Sequence, residues 1–200
     1  MMNWIKSLKK ALLITLTFMV ICGLIYPLVL TGIGQIAFPK QANGSLIKED
    51  GKVIGSSLIG QQFDEEGHFT SRPSAVGYNM YDKRDTDFAG VSSGSNNYAP
   101  SNPALIDRLK ESLKEFEHQN PSIAKSDIPA ELMTASGSGL DPHISVKAAK
   151  VQIPRIVNES GLSTQEVKGI IENATEHKVL NVFGEEKVNV LEANRLIDRK

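Results

Sequence analysis

At 200 residues, 40% apolar and 22% charged, the chain is one domain of ordinary size or a domain with an appendage, and it is neither disordered, collagenous nor low-complexity. A net charge of −1 leaves no footprint for nucleic acid. A single cysteine allows neither a disulfide framework nor a Cys-x-x-Cys metal or redox pair.

The apolar residues are unevenly placed. From Ala11 to Phe38 there is no Asp, Glu, Lys, Arg or His. About 20 apolar residues cross the hydrocarbon core as a helix, so this run predicts a transmembrane helix over residues 11–38. Pro27 is expected as a tolerated kink and Pro39 as the exit. Lys6, Lys9 and Lys10 precede the run, and the first acid is Glu49. The positive flank predicts a cytoplasmic tail at 1–10 and an extracytoplasmic domain at 41–200, giving a single-pass protein of the plasma or inner membrane with lipid as its first partner. A cleaved secretory signal has a shorter apolar stretch, about 7–15 residues, ending in a small-x-small site that is missing here. Ile21 is too bulky to precede a lipoprotein cysteine at Cys22, so an uncleaved anchor is expected. Beyond residue 40, 18 Lys and Arg face 23 Asp and Glu, a net of −5.

Ser45–Ile54 reads as a hairpin around Asp50-Gly51, a pair suited to positive backbone angles. Residues 64 to 103 then lose all periodicity, although Phe69, Tyr78, Tyr81, Phe88 and Tyr98 argue against simple disorder. A stretch of that length inside a compact domain predicts a functional or partner-docking loop. A helix is expected from Pro103, capped by Ser101 or Asn102, with Leu105, Ile106, Leu109, Leu113 and Phe116 on its buried face. Asn120-Pro121 stops it, and a helical turn follows near Ser126–Pro129. A second helix is expected between Ser145 and Gly161, interrupted by Pro154. Ser163-Thr-Gln-Glu166 is a capping box for a third, with Val167, Ile170, Ile171 and Ala174 buried. Val188-Asn189-Val190 reads as extended and Leu191–Ile197 as helical. Few strands and several helices predict a small mixed α+β domain behind one amino-terminal transmembrane helix.

No catalytic signature emerges. Ser136-Gly-Ser-Gly139 lacks the Gly-Lys-Ser/Thr continuation of a phosphate loop, and neither serine has the flanking glycines of a nucleophile elbow. His68, His118, His143 and His177 are isolated in sequence, so no zinc pair is expected. Asp141-Pro142-His143 reads as a stiff turn or as a carboxylate orienting an imidazole. Arg72, ahead of Pro73 and Ser74, can present its planar fork to a carboxylate, either on a partner or within the loop. Asn96 in Ser93–Asn97, and Asn102 in Pro100–Pro103, offer amides to turning backbone or to a polar interface.

An ordered series runs through these segments: Phe63, Phe69-Thr-Ser-Arg-Pro-Ser-Ala75, Ser92-Ser-Gly-Ser-Asn96, Pro100-Ser-Asn-Pro103, Thr134-Ala-Ser-Gly-Ser-Gly-Leu-Asp-Pro-His-Ile-Ser145, Phe183-Gly-Glu185 and Val188-Asn-Val-Leu191. It resembles the C subunit of the Kdp potassium-transporting P-type ATPase along the whole chain. Ser93, where the family commonly has glycine, and Asn97-Tyr98 depart from the pattern and bear only on local loop shape. The resemblance implies a non-catalytic accessory subunit of a high-affinity ATP-driven potassium uptake complex. It also implies a channel-like A subunit, an ATP-hydrolysing B subunit and a small F subunit as partners. The expected role is assembly, together with a catalytic-chaperone effect that raises the ATP affinity of the B subunit. ATP and potassium are implied for the complex, with no cofactor held firmly by this chain. Arg72, Ser74, Asn96, Asn102, Ser136, Ser138, Asp141, His143 and Asn189 are the interface or loop-structuring candidates; no catalytic or metal residue is expected. The alternatives are a free-standing extracytoplasmic binding module on a signal anchor and an anchored hydrolase, which would need a catalytic cluster.

Overall fold

The computed structural model describes residues 2–80 and 90–200; Tyr81 and Phe88 of the long loop lie outside the described residues. The chain forms two compact units, Met1–Ser56 and Ser57–Lys200.

In the first unit, α1 (Met2–Val20), a π-helical turn (Ile21–Ile25) and α2 (Tyr26–Ala37) run on continuously. Within them Trp4–Ala37 is one candidate membrane-crossing helix of 34 residues, whose most apolar 18-residue stretch has a mean hydropathy of 2.4 and is wholly unburied. At 1.5 Å per residue it is about 50 Å long, enough for a hydrocarbon core of about 30 Å and both interfaces. Pro27 explains the π turn. It has no N–H for the Gly23 carbonyl and its ring crowds that oxygen, so the helix widens just before it. The turn closes with a bond from the Tyr26 N–H to the Ile21 carbonyl. Thr15, Thr17 and Thr31 donate their hydroxyls to carbonyls four residues back, which satisfies them without water. The chain turns at Phe38 (φ −137°), and Pro39 opens a four-residue helix, α3 (Pro39–Ala42), that has no apolar period to announce it. β1 (Leu46–Glu49) and β2 (Lys52–Ser56) pair antiparallel, with a bulge between Ile47 and Lys48. Asp50 and Gly51 take φ of 48° and 77° at the turn, as the sequence predicts.

In the second unit, α4 (Pro103–Gln119) begins at Asn102, whose side chain accepts the Ala104 N–H. Its apolar face is less buried than its spacing predicts: Phe116 is enclosed, but Ile106 remains 42% exposed. Short 3-10 turns follow at Lys125–Asp127 and Ala130–Leu132. The segment between Ser145 and Gly161 is two helices, α5 (Val146–Lys150) and α6 (Ile153–Ser160). Pro154 cannot bond the Lys150 carbonyl, so it sits where a missing N–H costs nothing, in the first turn of α6. α7 (Thr164–Asn173) carries both halves of its capping box. α8 (Val190–Asp198) is capped by the Asn189 side chain, which accepts the Glu192 N–H.

β3 (His143–Ser145), β4 (Thr175–Glu176) and β5 (Lys187–Asn189) form an antiparallel sheet with β5 in the centre. Val188 faces Ile144 on one side and Thr175 on the other. β3 and β4 are too short to show a period. Phe69, Ile144, Ile156, Val167, Val188 and Val190 lie at the centre of the core, and α7 packs against α5, α6 and α8. The unit is the mixed α+β domain the sequence predicts.

Candidate functional site

Among its described residues the long loop has almost no secondary structure to pair its backbone, yet it enters the core. Phe69 is fully buried, so its N–H and carbonyl must find partners inside the protein. The Asn194 side chain, from α8, supplies both: Oδ1 accepts the Phe69 N–H at 2.7 Å, and Nδ2 donates to its carbonyl at 3.0 Å. Gln152, between α5 and α6, grips Thr70 in the same way, at 2.8 and 3.2 Å. Two buried amides thus stand in for a neighbouring strand. Arg155 completes the clamp. Its guanidinium is buried and donates to the Asn120 side chain, the Glu66 carbonyl, Thr70 Oγ1 and Gln152 Oε1. Burial lowers its pKa, with Glu66 and Glu159 opposing the shift.

Beyond this clamp the loop wraps the Ser-Gly block. Ser136 is buried and its Oγ accepts the Gly139 N–H at 2.9 Å. Ser74 Oγ donates to the Gly139 carbonyl at 2.6 Å and accepts the N–H groups of Val76 and Tyr78. The Ser138 hydroxyl accepts the Leu140 N–H, while its carbonyl takes the Gly94 N–H and the Ser93 hydroxyl. Gly139 has φ +68°, and a Cβ there would stand 2.7 Å from Val76 Cγ2 and 2.8 Å from the Gly94 carbonyl. Gly60 is as tightly enclosed: a Cβ would meet the Tyr78 ring at 2.6 Å and the Asp141 carbonyl at 2.7 Å. Tyr78 donates its hydroxyl to the Arg72 carbonyl at 2.6 Å, and burial pushes its pKa up to about 12.

An ionic chain crosses this surface. Arg72 Nη1 lies 3.2 Å from Asp141 Oδ2, so its fork takes a carboxylate within its own unit, and Nη2 donates to the Ala135 carbonyl. Asp141 Oδ1 accepts the His143 N–H at 3.0 Å, closing the stiff turn across Pro142. The His143 ring stands between two carboxylates, Asp141 Oδ1 at 3.6 Å and Glu176 Oε1 at 3.1 Å. Lys187 Nζ ends the chain, 3.1 Å from Glu176 Oε2. The His143 side chain, helped by its backbone N–H and by Arg72, holds the Asp141 carboxyl below its ordinary value against a desolvation cost. For Glu176 burial pushes upward, but His143 and Lys187 outweigh it and the carboxyl is also lowered.

Seven of the nine residues singled out from sequence fall in this assembly or at its edge: Arg72, Ser74, Ser136, Ser138, Asp141, His143 and Asn189. Asn189 pairs with His143 in the sheet, and its Nδ2 donates to the Ser57 carbonyl at 2.8 Å. Asn102 is set apart as the α4 cap, and Asn96 is exposed in a hollow of 430 Å³ whose lining it shares with Ser74, Tyr98, Leu105 and Arg108. Sequence reasoning missed Asn194, Gln152, Arg155, Tyr78, Gly60 and Glu176. Polar residues on helices ordinarily read as solvated, so Asn194 carried no signal, whereas Gln152 and Arg155 flank Pro154 at a spacing that could have marked a shared face. The described serine hydroxyls of the assembly are engaged with backbone groups, and no cluster of three His, Cys, Asp or Glu able to hold a metal occurs among the described residues. Chemically, the arrangement fixes a loop surface and presents it.

The model of one protein family, described as "KdpC: K+-transporting ATPase, c chain", matches residues 8–199. A Clostridium kluyveri protein named "Potassium-transporting ATPase KdpC subunit" is 53% identical over 97% of this chain and 94% of its own length. Proteins of the same name from Clostridioides difficile and Bacillus cereus are 48% and 45% identical, each over 94% of this chain and 95% and 92% of their own lengths.

Proposed function

Because the chain belongs to the family of K+-transporting ATPase c chains, we propose that it is a non-catalytic accessory subunit of an ATP-driven potassium uptake complex. It is anchored by Trp4–Ala37, with its amino terminus in the cytoplasm and Ser57–Lys200 outside. It joins a channel-like A subunit, an ATP-hydrolysing B subunit and a small F subunit, helps them assemble, and raises the affinity of the B subunit for ATP. The observation that carries this reading is the match over residues 8–199, which takes in the apolar helix and the loop surface together. What supports a role without catalysis is that Ser74, Ser136 and Ser138 bond backbone groups, whereas His143 faces carboxylates.

ATP is cytoplasmic, so an outer unit acts on its affinity only by biasing states of the whole complex through the membrane helix or the A subunit. The experiment is to reconstitute the ATPase with the full chain, without it, and with residues 1–40 alone. The expected result is an ATP KM about fivefold or more higher without the chain, a coupling of ordinary size. An unchanged KM would remove the chaperone role, and full retention by residues 1–40 would make Ser57–Lys200 dispensable for it.

A further inference from the structure

The hairpin joining β4 to β5 has a stitched base and a bare tip. At the base, Glu176 bonds His143 and Lys187, and His177 Nδ1 lies 3.1 Å from Glu186. At the tip, Val179 and Phe183 exchange backbone hydrogen bonds of 2.9 and 3.0 Å across a three-residue turn. Four of these five consecutive residues are large and apolar, and they are 68% (Val179), 81% (Leu180), 70% (Val182) and 65% (Phe183) exposed. Leu180 and Asn181 hold φ of 54° and 59°, and Gly184 of 86°. Leucine rarely adopts that conformation, and here it aims the side chain at solvent. An exposed apolar group of this kind marks an interaction site.

The charges around the tip select its occupant. Glu172, Glu176, Glu185 and Glu186 flank it against Lys178 and Lys187, a formal −2. That rim repels the anionic headgroups of a bilayer, and it equally repels a second copy of itself. It complements an apolar recess bordered by cations. We infer that Val179–Phe183 is a plug that seats in a basic-rimmed apolar recess on another subunit of the same ATPase. This rests on the accessory-subunit reading above, which supplies the other subunits.

The test uses the full chain in its assembled complex. A benzophenone amino acid placed at Leu180 is photolysed in membranes, and the adduct is identified by mass spectrometry. In parallel, the Leu180→Asp/Phe183→Asp variant carries an affinity tag, and recovery of the other ATPase subunits is measured in mild detergent. Both positions are exposed, so the variant should melt within about 2 °C of the wild type. The expected results are a crosslink to a different ATPase subunit and recovery reduced at least fivefold. A crosslink only to lipid, to a second copy or to nothing overturns the inference, and so does unchanged recovery. If the unaltered tagged chain itself recovers no other ATPase subunit, the accessory reading is what fails.

Discussion

The side-chain amide of Asn194 closes two backbone groups of Phe69 that no strand reaches. Replacing it with Ala leaves a buried N–H and a buried carbonyl unpaired, at about 1–3 kcal/mol each. Asn194→Ala is therefore expected to lower stability by roughly 3 kcal/mol, read as a fall in the unfolding midpoint; a change under about 0.5 kcal/mol would show the loop held by other means. Asp141 makes a second, pH-dependent prediction. Its folded pKa is depressed below the ordinary 3.8 by His143 and Arg72, so the carboxylate contributes stability above pH 3.8 that is lost as pH falls through the folded value. Glu176, lowered from 4.5, acts in the same sense. The melting-temperature advantage of the wild type over Asp141→Asn should be full at pH 6 and should shrink steadily below about pH 4. An advantage that grew with acidity would contradict the ionic chain.

Among the elements, the helices carry their own punctuation. Ser163 Oγ accepts the Glu166 N–H while Glu166 reaches back to the Ser163 N–H. Removing that hydroxyl in Ser163→Ala should cost about 1 kcal/mol, measurable by denaturant titration, with Ser163→Thr close to neutral. The sheet behaves differently. β3 and β4 exist because Ile144 and Thr175 find Val188 between them, a pairing of distant segments rather than a local preference. This is why the hairpin at Asp50-Gly51 and the helices α4, α7 and α8 were legible in sequence, and β3 and β4 were not. The division of α5 from α6 was half legible: Pro154 marked an interruption, while its place at a helix start depended on packing.

For the molecule as a whole, the proposal of an outer Ser57–Lys200 has a direct check. In a Cys22→Ser background, a cysteine placed at the exposed Ser138 is reacted with a membrane-impermeant maleimide in intact cells whose outer face is accessible to the reagent. Labelling before lysis is the expected outcome, and labelling only after lysis would reverse the orientation. Truncation or loop grafting should follow the observed units: Met1–Ser56 contains the helix and first hairpin, and Ser57–Lys200 contains the main cluster of buried apolar residues.

Sequence alone determined the candidate membrane helix, the mixed character of the domain, the capping box at Ser163 and the family, because each is written in local composition, short-range spacing or an ordered set of motifs. It also offered Arg72 a carboxylate, on a partner or within the loop, and Asp141 the His143 imidazole or a stiff turn, without choosing between them. Only tertiary structure decided that Arg72 takes Asp141, that Asn194 and Gln152 hold the loop backbone, and that Val179–Phe183 stands bare. Those outcomes depend on groups up to 125 residues apart meeting in space, and on which surfaces the core leaves uncovered. Neither property has a period that a chain can display in one dimension.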